Sequence, residues 1–141
     1  MQYNNNLNKN KMFDWKKPTV QMLGRWQPWH DGHQALFKRC VAKTGQVVIQ
    51  VRDVQGASGG DGQDDNPFDW DVVCKNIEEG LIKDNYKRGV DYEIMLVPNI
   101  VNITYGRGVG YAFDEEVFDD ATQSISATKI RKKMRDEGKL K

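Results

Sequence analysis

The chain contains two histidines, His30 and His33, three positions apart with Gly32 between them. At the mouth of a helix this spacing puts both imidazoles on one side, and the glycine lets a ligand approach the backbone closely. Two imidazoles could begin a metal site, but a third Cys, His or carboxylate ligand is wanted, and Asp31 is poorly directed for that role. Phosphate binding suits the pattern better. A helix amino terminus presents free N–H groups and partial positive charge, and the imidazoles add donors. The structural alternative has one histidine capping the helix and the other packed. A second constellation lies near the other end, in Ser124-Ile125-Ser126-Ala127-Thr128-Lys129-Ile130-Arg131. Ser126 alone reads as an N-cap. With Thr128 and Arg131 it makes another cradle for anionic oxygens, the guanidinium matching phosphate geometry. Two such helix starts could grip one triphosphate. No Gly-x-x-x-x-Gly-Lys phosphate loop is present.

The elements that must hold these groups follow from periodicity. Thr19 to Gly24 reads as a short strand ending at a glycine, followed by a loop through Arg25 and His33 and a helix over 33–43 with Leu36, Phe37, Cys40 and Val41 on its apolar face. Gln46 to Val51 is a nearly continuous apolar strand of the kind buried on both faces. Residues 53–66, rich in Gly, Asp and Gln, form a long loop suited to a lid or binding role. Trp70, Val73, Cys74, Ile77 and Leu81 recur at helical spacing, with Glu78, Glu79 and Lys83 on the other side. Tyr92 to Val97 is a third strand ended by Pro98, and Val101 to Tyr105 is expected to be a fourth. A glycine-punctuated loop, Tyr105 to Tyr111, an acidic stretch over 114–120 and a helix from about Ser126 to Met134 complete the chain. Strands alternating with helices predict a parallel α/β sheet, whose ligand site lies beyond the carboxyl ends of the strands. The loops after the first, second and fourth strands converge there.

Composition narrows the function. The 141 residues are 38% hydrophobic and 29% charged, enough for one core, so residues 17–141 are read as a single domain. Residues 1–16 are read as a flexible extension, with five Asn among the first ten. Twenty-one Lys and Arg balance 20 Asp and Glu for a net charge of +1, which removes the broad electrostatic case for a nucleic-acid binder. The basic tail is short and lacks interleaved aromatics. No segment approaches the roughly 20 apolar residues of a membrane span, and no signal peptide is visible, so the expected location is the cytoplasm. Cys40 and Cys74 lack metal or redox spacing and read as small buried hydrophobes.

Gly24-Arg25-Trp26-Gln27-Pro28-Trp29-His30-Asp31-Gly32-His33 resembles the first signature of the nucleotidylyltransferase superfamily, the His-x-Gly-His enzymes. Ile125-Ser126-Ala127-Thr128-Lys129-Ile130-Arg131 is similar to the second, Ile-Ser-x-Thr-x-Ile-Arg, in the right order and separation. The form of the first motif resembles the nicotinamide-mononucleotide (NMN) adenylyltransferase branch most, and Asn66-Pro67-Phe68 is similar to an Asn-Pro-Phe of its archaeal members. Two segments differ. Trp26 and Trp29 stand where phenylalanines are usual, and Tyr105 to Tyr111 does not match the Ser-Gly-Asn segment after the fourth strand.

The resemblance implies a single-domain Rossmann-like parallel sheet with helices on both faces. It also implies in-line attack by an acceptor's phosphate on the α-phosphorus of a nucleoside triphosphate, with release of pyrophosphate. His30, His33 and Arg131 would be the catalytic groups, His33 nearest the α-phosphoryl group. Ser126 and Arg131 would hold the β- and γ-phosphates, and Thr128 would help close the same helix start. Gly24, Arg25, Trp26 and Gly32 would complete the nucleotide site; Arg107 is expected, from its place in the glycine-rich loop at the active edge, to read the acceptor's phosphate or the base surroundings. Magnesium would arrive with the triphosphate, ATP being favoured over CTP, and take few or no protein ligands. The acceptor is a small phosphorylated molecule left otherwise open, and a homo-oligomer would allow a neighbouring subunit to help bind it. Two alternatives stand beside this reading: a cytidylyltransferase forming a CDP-linked polyol or phosphonate, and a non-catalytic nucleotide sensor.

Overall fold

A computed structural model describes residues 12–55, 65–108 and 110–140. Residues 56–64, most of the loop expected over 53–66 as a lid or binding loop, and the first eleven residues of the extension lie outside the described residues. Three parallel strands, β1 (Val20–Gly24), β2 (Val47–Arg52) and β3 (Tyr92–Val97), form one sheet in the order β1-β2-β3. Four helices accompany them: α1 (Asp31–Thr44), α2 (Trp70–Ile82), the short α3 (Asp120–Gln123) and α4 (Ala127–Asp136). This is a small parallel sheet flanked by helices, Rossmann-like in that coarse sense.

Each boundary has a local cause. The helix α1 stops where Gly45 turns left-handed at φ 89° and returns its N–H to Val41 at 2.8 Å, a conformation that favours glycine. Asp69 opens α2 by accepting the Val72 N–H at 3.0 Å, and Ser126 opens α4 by accepting the Lys129 N–H at 3.3 Å. In register, Met22 faces Ile49 and Ile49 faces Ile94. These residues, with Val47, Val51 and Tyr92, meet Phe37 and Cys40 of α1 and Val73, Ile77 and Leu81 of α2 in one core. The Phe37 ring meets Tyr92 edge-on at 5.7 Å between centroids.

Three expectations need correction. Right-handed crossovers between strands laid down in sequential order put α1 and α2 on the same face. The other face carries Gln21, Leu23, Val48, Gln50, Glu93 and Met95, none of them fully buried, so the described helices do not sandwich the sheet. Residues 101–105 join no ladder among the described residues, and Val101 and Ile103 are exposed: the alternation is present, but nothing buries its apolar side. The extension, finally, is shorter than expected. The Phe13 N–H donates to the Gly89 carbonyl at 2.8 Å, and the Gln46 side chain binds both the N–H and C=O of Asp14, so residues 13 and 14 are fixed to the domain.

The acidic stretch pairs with α1. Lys43 reaches Asp114 at 2.8 Å and Glu116 at 2.7 Å, while Arg39 binds Glu116 and lies over the Phe118 ring, so residues 114–118 are strapped across α1. Cys40 and Cys74 are free thiols, and burial pushes both thiol pKa values up. No helix of the described residues is long and apolar enough to cross a membrane.

Candidate functional site

The loop from β1 into α1 is built by its own side chains. Gln27 is buried, and its amide bonds Phe68 at two points: Nε2 donates to the Phe68 carbonyl and Oε1 accepts the Phe68 N–H, both at 2.9 Å. Arg25 donates to Asn66 Oδ1 at 3.0 Å. The Asn66-Pro67-Phe68 segment is therefore what the loop is fastened to. The Gln27–Pro28 peptide is cis, and Trp26 is held at φ 54°, a strained conformation for a bulky residue. Its indole N–H donates to the Gln50 carbonyl at 3.1 Å, which anchors the loop to the middle strand. Trp26 and Trp29 are both buried, so the Trp26 ring is a wall of the site and not an open stacking platform for a base. A Cβ on Gly24 would lie 2.8 Å from the Trp26 ring, which explains the glycine there.

At the start of α1 the two histidines cap one another. His30 Nδ1 accepts the N–H groups of Gly32 at 3.0 Å and His33 at 3.4 Å, and His33 Nδ1 accepts the His30 N–H at 3.2 Å. The arrangement is a capping box with imidazoles in place of the usual hydroxyl and carboxylate. An Nδ1 that accepts leaves the proton on Nε2, so each neutral ring keeps one N–H donor for a ligand. The rings stack at 3.6 Å between centroids, and Trp26 meets His33 edge-on at 4.7 Å. Desolvation lowers the pKa of His30 against an opposing pull from Asp31. Burial, then the neighbouring His30, lowers that of His33 to about 3. Both rings are neutral at pH 7.

The two helix starts adjoin. A Cβ on Gly32 would stand 2.8 Å from His30 Cε1 and 3.7 Å from the Cβ of Ile125, the residue before the Ser126 cap. Thus the structure brings together Gly24, Arg25, Trp26, His30, Gly32, His33, Ser126, Thr128 and Arg131. Arg131 ties the halves. Its side chain is only 3% exposed; Nη1 donates to the Gln27 carbonyl at 2.5 Å and Nη2 to Asp65 and Thr128, each at 3.3 Å. Desolvation lowers its pKa, Asp65 opposes this, and the nearby charges of Arg25 and Arg135 add to the lowering, so cationic groups gather here. Its donors serve the protein, which makes it a clamp between α4 and the loop. Arg107 is exposed in the segment after β3 and has no hydrogen-bond or ion-pair partner among the described residues.

Beside His30, between α1, α2 and α4, opens a cavity of about 630 Å³ walled by Trp29, Phe68, Val72, Asn76, Glu79 and Lys83. Asp31, Glu79 and Asp84 outnumber Lys83 on its wall, the wrong sign for polyphosphate, and neither His33 nor Ser126 lines it. The junction of the helix starts lies apart from this cavity's lining at His33 and Ser126. Among the described residues no three His, Cys, Asp or Glu side chains gather into a metal site.

Gln27, Asn66 and Gln34 are the residues whose roles sequence reasoning missed. Gln34 accepts the Trp29 indole N–H at 2.8 Å and donates to the Gly80 carbonyl at 2.7 Å, joining α1 to α2 where Gly80 lets Trp29 come close. A glutamine between tryptophans and a proline was the available signal for Gln27, since a polar group in an apolar loop must find partners. No family model matches the chain, and no curated protein matches it.

Proposed function

We propose that the protein is a nucleotidyltransferase, most simply an adenylyltransferase, that moves the nucleotidyl group of ATP onto a small phosphorylated acceptor. The observation that supports it is the meeting of two helix amino termini at Gly32 and Ile125, with two neutral imidazoles presenting Nε2–H donors at the junction.

In this reading an acceptor phosphate oxygen attacks the α-phosphorus in line, the new P–O bond forms as the bond to the β-phosphate oxygen breaks, and pyrophosphate leaves. The protein positions the reactants and stabilises charge on the equatorial and leaving oxygens. His33 and His30 donate to the α-phosphoryl oxygens. The Ser126 hydroxyl and the first N–H groups of α4 receive the β- and γ-phosphates, Thr128 helping to shape that start. Arg131 acts as a positioning residue, holding α4 against the loop while its charge contributes to the field. Magnesium would be carried mainly by the phosphates, in keeping with a site rich in N–H donors and poor in gathered carboxylates. Arg107 is proposed to reach the acceptor or base from the segment after β3.

Calorimetric titration with non-hydrolysable ATP and CTP analogues, each with magnesium, tests the reading. Tighter ATP binding is expected, followed by pyrophosphate release when ATP and phosphorylated acceptors, NMN first, are supplied. A CTP preference would move the assignment to a cytidylyltransferase, binding without turnover on any acceptor would make it a nucleotide sensor, and binding of neither would overturn it.

A further inference from the structure

The end of β2 carries a cationic group that neither packing nor ion pairing accounts for. Arg52 is the last residue of the central strand, one step past Val51, the register partner of Gly24. It therefore stands on the carboxyl edge of the sheet, where the β1–α1 loop departs. Its carbonyl accepts the Val54 N–H at 2.9 Å and the Gln55 side-chain amide at 3.0 Å, so its backbone is fixed. Nη2 donates to Asn99 Oδ1 at 2.7 Å, whereas the Nε–H is buried with no acceptor among the described residues. A buried donor of this kind is costly and calls for an explanation.

The other arginines sharpen the contrast. Arg39, Arg88 and Arg131 each pair with a carboxylate. Arg52 pairs with none among the described residues, and Arg25, just past the end of β1, is likewise held by an asparagine oxygen, that of Asn66. An amide oxygen orients a guanidinium without neutralising it. Arg52 is also linked to the chemistry. Two residues before it, Gln50 accepts the indole N–H of Trp26, whose ring stands against His33.

We propose that Arg52 forms an oxyanion subsite at the carboxyl edge and holds the phosphoryl group of the acceptor through the Nη protons that Asn99 leaves open. This rests on the nucleotidyltransferase reading and deepens it, naming a determinant of acceptor recognition separate from the helix starts that hold the triphosphate. Asn99 is the positioning residue that fixes the plane of the guanidinium.

The test saturates the full chain with magnesium and whichever nucleotide analogue binds, so that the triphosphate groups are filled, and then titrates inorganic phosphate by calorimetry. Phosphate binding is expected to weaken at least about tenfold in Arg52→Gln and to return in part in Arg52→Lys, which restores charge without the fork. Analogue affinity is expected to stay unchanged in both variants, which also shows that they fold. Asn99→Asp, which would neutralise the guanidinium in place, gives the same readout if Arg52→Gln does not fold. Equal phosphate affinity in wild type and variants, or no phosphate binding by the analogue-loaded wild type, overturns the Arg52 subsite and leaves the nucleotide reading standing. Failure of the wild type to bind either analogue overturns the nucleotide reading itself and the subsite with it.

Discussion

His30 and His33 hold each other's backbone: the Nδ1 of each ring accepts the N–H of the other residue, at 3.4 Å and 3.2 Å, while the rings stack at 3.6 Å. One pair of side chains thus starts a helix and aims two Nε2–H donors. A replacement that only removes an imidazole disturbs both roles, so the informative variants keep an acceptor where Nδ1 was.

His33→Asn supplies such an acceptor and deletes the Nε2–H. Turnover is expected to fall about 10²–10³-fold, the usual scale for losing a donor aimed at developing charge, while analogue affinity falls less than about tenfold. Steady-state kinetics beside calorimetry checks this. Equal losses in both would make His33 a ground-state binding residue only.

Stability should depend on acid. The pKa of His33 is about 3 in the folded chain against an ordinary value of 6.5, and that of His30 is lowered as well. Between those values the unfolded chain binds the proton and the folded one does not, so stability rises with pH through this window and is complete above it. The slope is at most about 1.4 kcal/mol per pH unit for each ring. Urea denaturation between pH 4 and pH 7, from inside that window to just above it, should show a shallower dependence in His33→Asn.

Gly32→Ala tests the closeness of the two helix starts. The new Cβ would press on His30 Cε1 at 2.8 Å, and a ring pinned through Nδ1 has little freedom to yield. Alanine is otherwise well suited to a helix. Analogue affinity is therefore expected to drop about tenfold or more, with a stability change near or under about 1 kcal/mol. Unchanged affinity would show that His30 does not touch the nucleotide.

Gln27→Ala removes both partners of the Phe68 backbone, whose N–H and C=O are buried with it. Two orphaned groups at about 1–3 kcal/mol each put the loss at about 2–6 kcal/mol, read as a lower denaturation midpoint. Gln27→Glu restores the acceptor but not the donor and is expected to rescue little.

Much of this was legible in the residues. The three strands carry continuous or alternating apolar runs, and α1, α2 and α4 carry apolar stripes, so their positions followed from periodicity; the short α3, which buries no residue, did not. Val101 to Tyr105 shows why alternation is insufficient: a strand needs a neighbour and a core to cover one face, and neither is a local property. The one-sided sheet was equally hidden, because Val48 and Met95 are apolar although their side is only half-covered. Among the residues that meet at the junction, the histidines, Ser126, Thr128 and Arg131 had been singled out by type and spacing. That Arg131 would spend its donors on Gln27, Thr128 and Asp65, and that Trp26 would be buried, depended on contacts between distant segments that spacing does not encode.

Gln27 is where three stretches of chain meet, its side chain joined to Phe68 across 41 positions and its carbonyl to Arg131 across 104. During synthesis the loop it belongs to emerges early, yet its shape is completed only when the last helix has been made and docked. Contacts so far apart carry the largest loop-closure cost and slow folding the most. The sheet and its two covering helices can therefore collapse first, and the junction of the two helix starts is completed at the end, as one late step that sets α4 in place.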